Sequence, residues 1–405
     1  MNLSYDLLYE LSLSYGDAFY LADRDNFENN YLELSSAFKK YYGNFNIAYS
    51  YKTNYLPAFC KSVDRLGGYA EVVSDMEMDI ALKCGVDYKR IIWNGPVKNV
   101  KRVEELLING GTVNIDNLNE LDHLESFVSE NKDKQFNLGI RLNYEVSDGV
   151  ISRFGIDTKS TDFDEVLEFF RKHKNAVLIN LQCHFAKRNA MYWNARALGM
   201  IECIKYVHGK LGVYPRRADL GGGIFGRMPE SLKKQFKYDI SQYSEYGDIV
   251  GPLFKEAFPE ENIELLIEPG TALAADSMKF VSKVESLKNV RGKNFVTVMG
   301  SQKNISMTGI NPPIEIFSGR DYVNKLENAD LAGYTCIESD VLYHNFCGDI
   351  DEGDFVVISN CGSYSLVMKP PFIMANFPVL LTEGNRIGEV KRKECFDDLF
   401  LTYKF

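Results

Sequence analysis

Between Asn46 and Gly270 the chain alternates short apolar runs with amphipathic segments, and this alternation restricts it to folds in which parallel strands are joined by helical crossovers. The runs are NIAYSY (46–51), YAEVVS (69–74), RIIWN (90–94), TVNID (112–116), FNLGIRLNY (136–144), LINLQCHF (178–185), RADLGGG (217–223) and ELLIEPG (264–270). Each is bounded by charged or turn-forming residues, as strands are. In 97–109, Val100, Val103, Leu106 and Leu107 recur at helical spacing, and in 161–173 Phe163, Val166, Leu167 and Phe170 do the same. Eight such repeats close a (β/α)8 TIM-type barrel of about 250 residues. An open doubly wound sheet is the competing arrangement.

After about Ser277 the pattern changes. KFVSKVESLK, NFVTVMGS and DFVVISNCGSY read as strands separated by Gly, Asn and Asp turns, and helical periodicity becomes scarce. A chain of 405 residues exceeds one ordinary core. The reading is therefore α/β, with a barrel over 25–275 and a C-terminal β-sandwich or β-barrel domain over 276–405. The early strand DAFYLAD (17–23) could join either; residues 1–24 are assigned to the β-domain.

The formal net charge is −10 and long basic runs are absent, which speaks against a nucleic-acid partner. No apolar stretch is long enough to cross a bilayer, and MNLSYDLLYELSLSYGDAF lacks the basic start of a signal peptide, so a cytoplasmic protein is expected. Eight cysteines stand without a CxxC pair and five histidines are scattered. Free thiols in a reducing compartment and no metal site are the expectation.

A barrel enzyme carries its chemistry at the C-terminal ends of its strands. Lys52 ends the first run, Glu71 lies in the second, Arg141 in the fifth, and His184 near the end of the sixth. Gly221, Gly222 and Gly223 close the seventh, and Glu268, Pro269 and Gly270 the eighth. Singly, each has a plain alternative: a solvated lysine, a core histidine, a turn, a capping acid. Together they bring an amine that burial would strip of proton affinity and glycines that admit a phosphate to backbone N–H groups onto one barrel mouth.

These residues, with their surroundings, resemble the alanine-racemase-fold (fold type III) pyridoxal-phosphate enzymes, on the ornithine/diaminopimelate decarboxylase branch. The resemblance spans nearly the whole chain, through AYSYKTN (48–54), GGYAEVVSDME (67–77), SRFGID (152–157), CHF (183–185), DLGGGIFG (219–226), EPG (268–270), CIESD (336–340) and GSY (362–364). It implies a barrel plus a β-domain, and decarboxylation of an amino acid through a Schiff base of pyridoxal 5'-phosphate on Lys52 and a quinonoid intermediate. His184 would stack on the ring, and Glu268 would hold the pyridine nitrogen protonated so that the ring accepts electrons. Gly221, Gly222, Gly223, Gly270 and Tyr364 would hold the phosphate side, with Glu71 and Arg141 close to the Schiff base. Cys336 matches a catalytic cysteine that reaches in from a second subunit, and Arg153 and Asp340 match a pair bridging subunits. A homodimer with composite active sites follows from the resemblance.

Three departures bear on cofactor and substrate. Thr271 replaces the arginine that follows EPG in the family. The family's HxGS becomes His184-Phe185-Ala186-Lys187-Arg188, without the phosphate-binding serine. Lys187 or Arg188 is expected to restore the lost positive charge. Ile337 replaces the acid that reads the distal amino group of a basic substrate, and Glu338 stands one residue on. A non-standard, carboxylated or diamino acid substrate, with Arg188 reading an anion, is therefore expected rather than ornithine, lysine or meso-diaminopimelate bound in the usual way. Two rival functions are carried: a racemase or epimerase on the same cofactor, which Glu268 and Cys336 disfavour, and an inactive decarboxylase-like binding protein. A Schiff-base aldolase barrel would leave the β-domain motifs unexplained.

Overall fold

The runs identified as barrel strands each form one, because each is an extended apolar segment flanked by residues that open a helix or turn. A computed structural model describes residues 2–321, 325–369 and 371–404. The barrel strands are β1 (Phe45–Ser50), β2 (Tyr69–Val72), β3 (Ile91–Trp93), β4 (Thr112–Ile115), β5 (Phe136–Asn143), β6 (Ala176–Cys183), β7 (Arg217–Asp219) and β8 (Glu264–Ile267). All neighbours pair in parallel, and β8 pairs β1 through Leu265↔Phe45 and Ile267↔Ile47, which closes the ring. The open sheet is thereby excluded. A two-residue strand, Ile156–Asp157, adds to the end of β5.

The helices bury the faces that their periodicity marks. In Val100–Ile108, capped by the Asn99 side chain, Val103, Leu106 and Leu107 are buried. Val100 departs from the expectation and is exposed, because it occupies the first helical position, beyond the turn that faces the sheet. In Thr161–Lys172, Phe163, Val166, Leu167 and Phe170 all face inward.

The chain divides into two compact units: Glu28–Phe225 with Ile240–Ala272, and Met1–Phe27 with Gly226–Asp239 and Leu273–Phe405. The first contains the barrel. The second carries nine strands joined by continuous pairing. Within it Ala18–Asp23 runs antiparallel to Met278–Val290, with Ala18 opposite Ser282, and parallel to Val379–Glu383. Its core includes Leu8, Phe19, Val281, Phe355, Val357 and Leu380. The helix Tyr5–Tyr15, which contributes Leu8, was not foreseen; Ser4 caps it by accepting the Leu7 N–H. No described helix is long and apolar enough to span a membrane.

The barrel interior is polar. Asn94 directly after β3, Asn114 on β4 and Asn180 on β6 form a chain of side-chain hydrogen bonds across it. Gly139 on β5 lies level with Asn114 and Asn180, and a Cβ there would stand 1.8 Å from Asn114 Oδ1 and 2.7 Å from the Asn180 carbonyl. Neither neighbour can retreat without breaking the chain of amides. Gly139→Ala is expected to lower stability by about 1–3 kcal/mol in denaturant unfolding. An unchanged midpoint would refute this account of the interior.

Candidate active site

The end of β1 sets the site. Ser50 closes the strand, its N–H bonded to the Pro269 carbonyl at 3.2 Å, and residues Tyr51–Thr53 make one 3-10 turn that lifts Lys52 onto the barrel mouth. Gly270 is required for this turn: a Cβ there would lie 1.9 Å from Thr53 Oγ1. Close packing against the lysine turn thus requires a glycine at 270.

Lys52 Nζ is ion-paired to Glu71 and lies 3.3 Å from Ser50 Oγ. Ser50 donates its hydroxyl to Glu71 at 2.7 Å. Burial draws the Lys52 amine downward, but Glu71 and Glu268 more than offset it, so the ammonium is held above its ordinary range. The sequence-based expectation of an amine freed by burial is corrected here, because acids surround it. Glu71, Glu268 and Asp219 are all buried. Burial first, and then Asp219 and Glu71, push the Glu268 carboxyl well up. Its oxygens accept from the amide groups of Asn94 and of Gln182, the latter at 3.1 and 3.3 Å. These donors fix the plane of the carboxyl and favour its ionised form once a cation neighbours it.

His184, half-buried after β6, accepts the Gly222 N–H on Nδ1 at 3.1 Å. Burial, followed by the cations Arg196, Lys52, Arg141 and Arg188, holds its pKa well below the ordinary value, so the ring is neutral. Arg141 donates to Asp116 Oδ1 at 3.1 Å and to the Asn94 carbonyl at 3.3 Å, over the Phe154 ring at 4.5 Å. Arg153 covers the same ring at 4.0 Å.

The glycine turn is not uniformly open. The Gly221 N–H goes to Asp219 Oδ1 at 2.9 Å and that of Gly222 to His184. Gly223 alone of the three keeps an N–H without an acceptor among the described residues. Gly221 and Gly223 have φ of +71° and +88°, values that favour glycine. Lys187 is exposed and Arg188 half-buried.

The remaining expected site residues belong to the other unit. Tyr364 is half-buried at φ +64°, an uncommon conformation for an aromatic residue, directly after Ser363, which is fully buried. Asp340 is buried and accepts from Ser301 Oγ at 3.0 Å, the Gln302 N–H at 2.8 Å and Thr335 Oγ1 at 2.6 Å. It thereby holds the turn 335–340, which displays Cys336, Ile337 and Glu338 in the open beside a groove of about 530 Å³ lined also by Phe295 and Thr297.

Asp219, Asn94, Gln182 and Arg196 were missed by the sequence reading. Gln182 carried a signal: two residues before His184 on one strand, it must share its face. Asn94 ended its run, as Lys52 did, and Asp219 opened the glycine motif. Arg196 had no signal, since an arginine inside a helix reads as solvated.

The donor set suits pyridoxal phosphate. A lysine stands among acids, a neutral imidazole lies by the glycine turn, and Arg141 Nε, Gln182 Oε1 and Asp219 Oδ2 are buried without partners. Burial pushes Asp219 up to about 7, the Gly221 N–H opposing. A carboxyl raised from 3.8 takes up a proton on folding, so its contribution is fully present below that value and lost as pH rises through about 7. The melting temperature of the cofactor-free protein should therefore fall between about pH 5 and about pH 8, and Asp219→Asn should flatten the profile. A wild-type profile that rises across this range would contradict the assignment.

The family model described as "Pyridoxal-dependent decarboxylase, pyridoxal binding domain" matches residues 29–275. Diaminopimelate decarboxylase of Vibrio cholerae is 26% identical, over 97% of this chain and 94% of that protein. L-glutamyl-[BtrI acyl-carrier protein] decarboxylase of Niallia circulans is 27% identical, over 99% of this chain and 97% of that one. The crystal structure of diaminopimelate decarboxylase from M. jannaschii shares the fold, with a TM-score of 0.85 at 21% identity, covering 98% of this chain and 94% of that one. The polar barrel with its mouth lysine and the match over 29–275 agree, and the chain belongs to the pyridoxal-dependent decarboxylases, as an amino-acid decarboxylase that uses pyridoxal phosphate.

Proposed function

We propose that this enzyme decarboxylates an amino acid whose side chain ends without a free ammonium group, in a homodimer whose sites each take Cys336 from the other chain. The observation that carries the substrate reading is Ile337: an exposed isoleucine stands on the turn where a basic-substrate enzyme would need an acid. A site lacking that acid leaves a buried ammonium unpaired, which discriminates strongly against ornithine or lysine. The relative from Niallia circulans acts, by its name, on an L-glutamyl group held on an acyl-carrier protein, which fits an acylated or carboxylated side-chain end. Arg188 and Lys187 are the cations that would read an anionic end, and Glu338 directly follows Ile337 on the turn.

Bound pyridoxal phosphate supplies a protonated pyridine ring that can take up the electron pair left by departing CO2. Lys52 Nζ would carry the cofactor after giving its proton to Glu71, which Ser50 and Asn94 orient. Glu268, positioned by Asn94 and Gln182, would keep the ring nitrogen protonated. Neutral His184 would lie against the ring face without adding a charge. A carboxyl rather than an arginine at the ring nitrogen supports decarboxylation over racemisation.

Cys336 would return a proton to the substrate carbon. The turn that holds it is fixed by Asp340, whose carboxylate retains capacity for one further donor, which supports a pairing with Arg153 across subunits. An exposed isoleucine and cysteine on a fixed turn favour coverage by a second chain.

CO2 release from L-ornithine, L-lysine and meso-diaminopimelate should be at least ~100-fold less efficient than from an amino acid with an acylated or carboxylated side chain, including an L-glutamyl group on a carrier. Efficient turnover of ornithine would defeat the substrate reading. Cys336→Ala should lower kcat by about 10²-fold or more while the cofactor absorbance persists. Mixing Lys52→Ala with Cys336→Ala chains should restore up to about a quarter of the activity, since one of two sites in a mixed dimer is intact. No recovery, with mixed dimers present, would rule out composite sites.

A further inference from the structure

The helix Met191–Leu211 carries a fully buried arginine, Arg196, and no carboxylate among the described residues pairs with it. Its guanidinium binds carbonyls instead. Nη1 donates to Leu220 at 3.1 Å and Gly222 at 2.7 Å, and Nη2 to Phe185 at 3.3 Å and Lys187 at 3.4 Å. Trp193 lies against it at 4.3 Å. The four carbonyls come from two turns, the glycine turn after β7 and the turn after β6. These turns stand side by side: a Cβ on Gly223 would be 3.6 Å from the Phe185 carbonyl and 3.7 Å from that of Lys187.

A trans peptide points its C=O and N–H in opposite directions, and the described chain has no cis peptide. Each carbonyl drawn toward Arg196 therefore turns the next N–H away from it. Those groups belong to Gly221, Gly223, Ala186 and Arg188. Asp219 takes the first, while the other three have no acceptor among the described residues. Three outward N–H groups over an unpaired buried cation make an anion nest with a formal positive charge beneath it.

We propose that Arg196 is a positioning residue for the cofactor's phosphate: it shapes this nest and supplies a fixed positive charge from below. The assignment to Lys187, whose side chain is exposed, becomes unnecessary. The inference concerns cofactor binding and is independent of which amino acid is decarboxylated.

The test compares wild type, Arg196→Gln and Arg196→Lys. Dissociation constants are measured for pyridoxal phosphate and for pyridoxal, which lacks the phosphate, by absorbance of the lysine-bound cofactor. Inorganic phosphate is titrated into cofactor-free protein by thermal shift. Arg196→Gln should weaken pyridoxal phosphate at least ~10-fold and pyridoxal little, and abolish the shift by phosphate. Its cofactor-free melting temperature should fall, because a glutamine amide has two N–H donors for four buried carbonyls, so the ratio of the two affinities carries the test. Arg196→Lys should bind at an intermediate level, since one ammonium cannot hold four carbonyls. A phosphate-to-pyridoxal affinity ratio equal to wild type overturns the proposal, equal weakening of both ligands included. If Arg196→Gln does not fold, the same ratio in Arg196→Lys decides.

Discussion

The ion pair between Lys52 and Glu71 governs the barrel mouth, because it is set among further acids rather than being self-contained. Glu268 and Asp219 lie buried with it, three carboxyls around one ammonium. Such an excess of acid is tolerable only if some carboxyls keep their protons. Burial and mutual repulsion raise Asp219 and Glu268, while Asn94, Gln182 and Ser50 supply the hydrogen bonds that orient Glu268 and Glu71. Fully ionised, the site would be two cations short; with Asp219 and Glu268 protonated it is balanced. A protonated pyridine nitrogen beside Glu268 would let that carboxyl ionise, so the excess of acid is consistent with such a ring.

The same principle explains why Lys52 and His184 depart in opposite directions. Both are partly enclosed, and enclosure alone lowers both. The lysine faces acids and is held as an ammonium, whereas the histidine faces cations and accepts an N–H on Nδ1, so it stays neutral. A burial argument made without neighbours yields the correct sign for His184 and the wrong one for Lys52.

Neighbours are what a linear reading lacks, and this divides what was legible from what was not. Strand number and order could be read because each strand is a local apolar run and eight of them close a ring. Lys52, His184 and Glu268 could be read because each sits at or near the end of such a run. The Gly221–Gly223 triplet was legible as a turn, but not that two of its N–H groups are already taken by Asp219 and His184. Asn94 and Gln182 escaped because amides carry no charge to advertise a site. The packing of Gly270 against Thr53 was illegible for a related reason: the two lie more than two hundred residues apart in sequence.

The two buried arginines of the barrel unit show how pairing, rather than charge alone, assigns a role. Arg141 has Asp116, which also takes the Gly155 N–H, so its charge is neutralised within the protein, over the ring of Phe154. Arg196 has four carbonyls and no acid within hydrogen-bond reach, Asp148 acting on it only from farther away. Carbonyl dipoles solvate a guanidinium without cancelling its charge, so its field extends to the turns above it. A cation in a surface loop would be screened by water and free to swing away. One anchored in a helix beneath the turns keeps its distance from them, which is the geometry required of a fixed counter-charge for a phosphate.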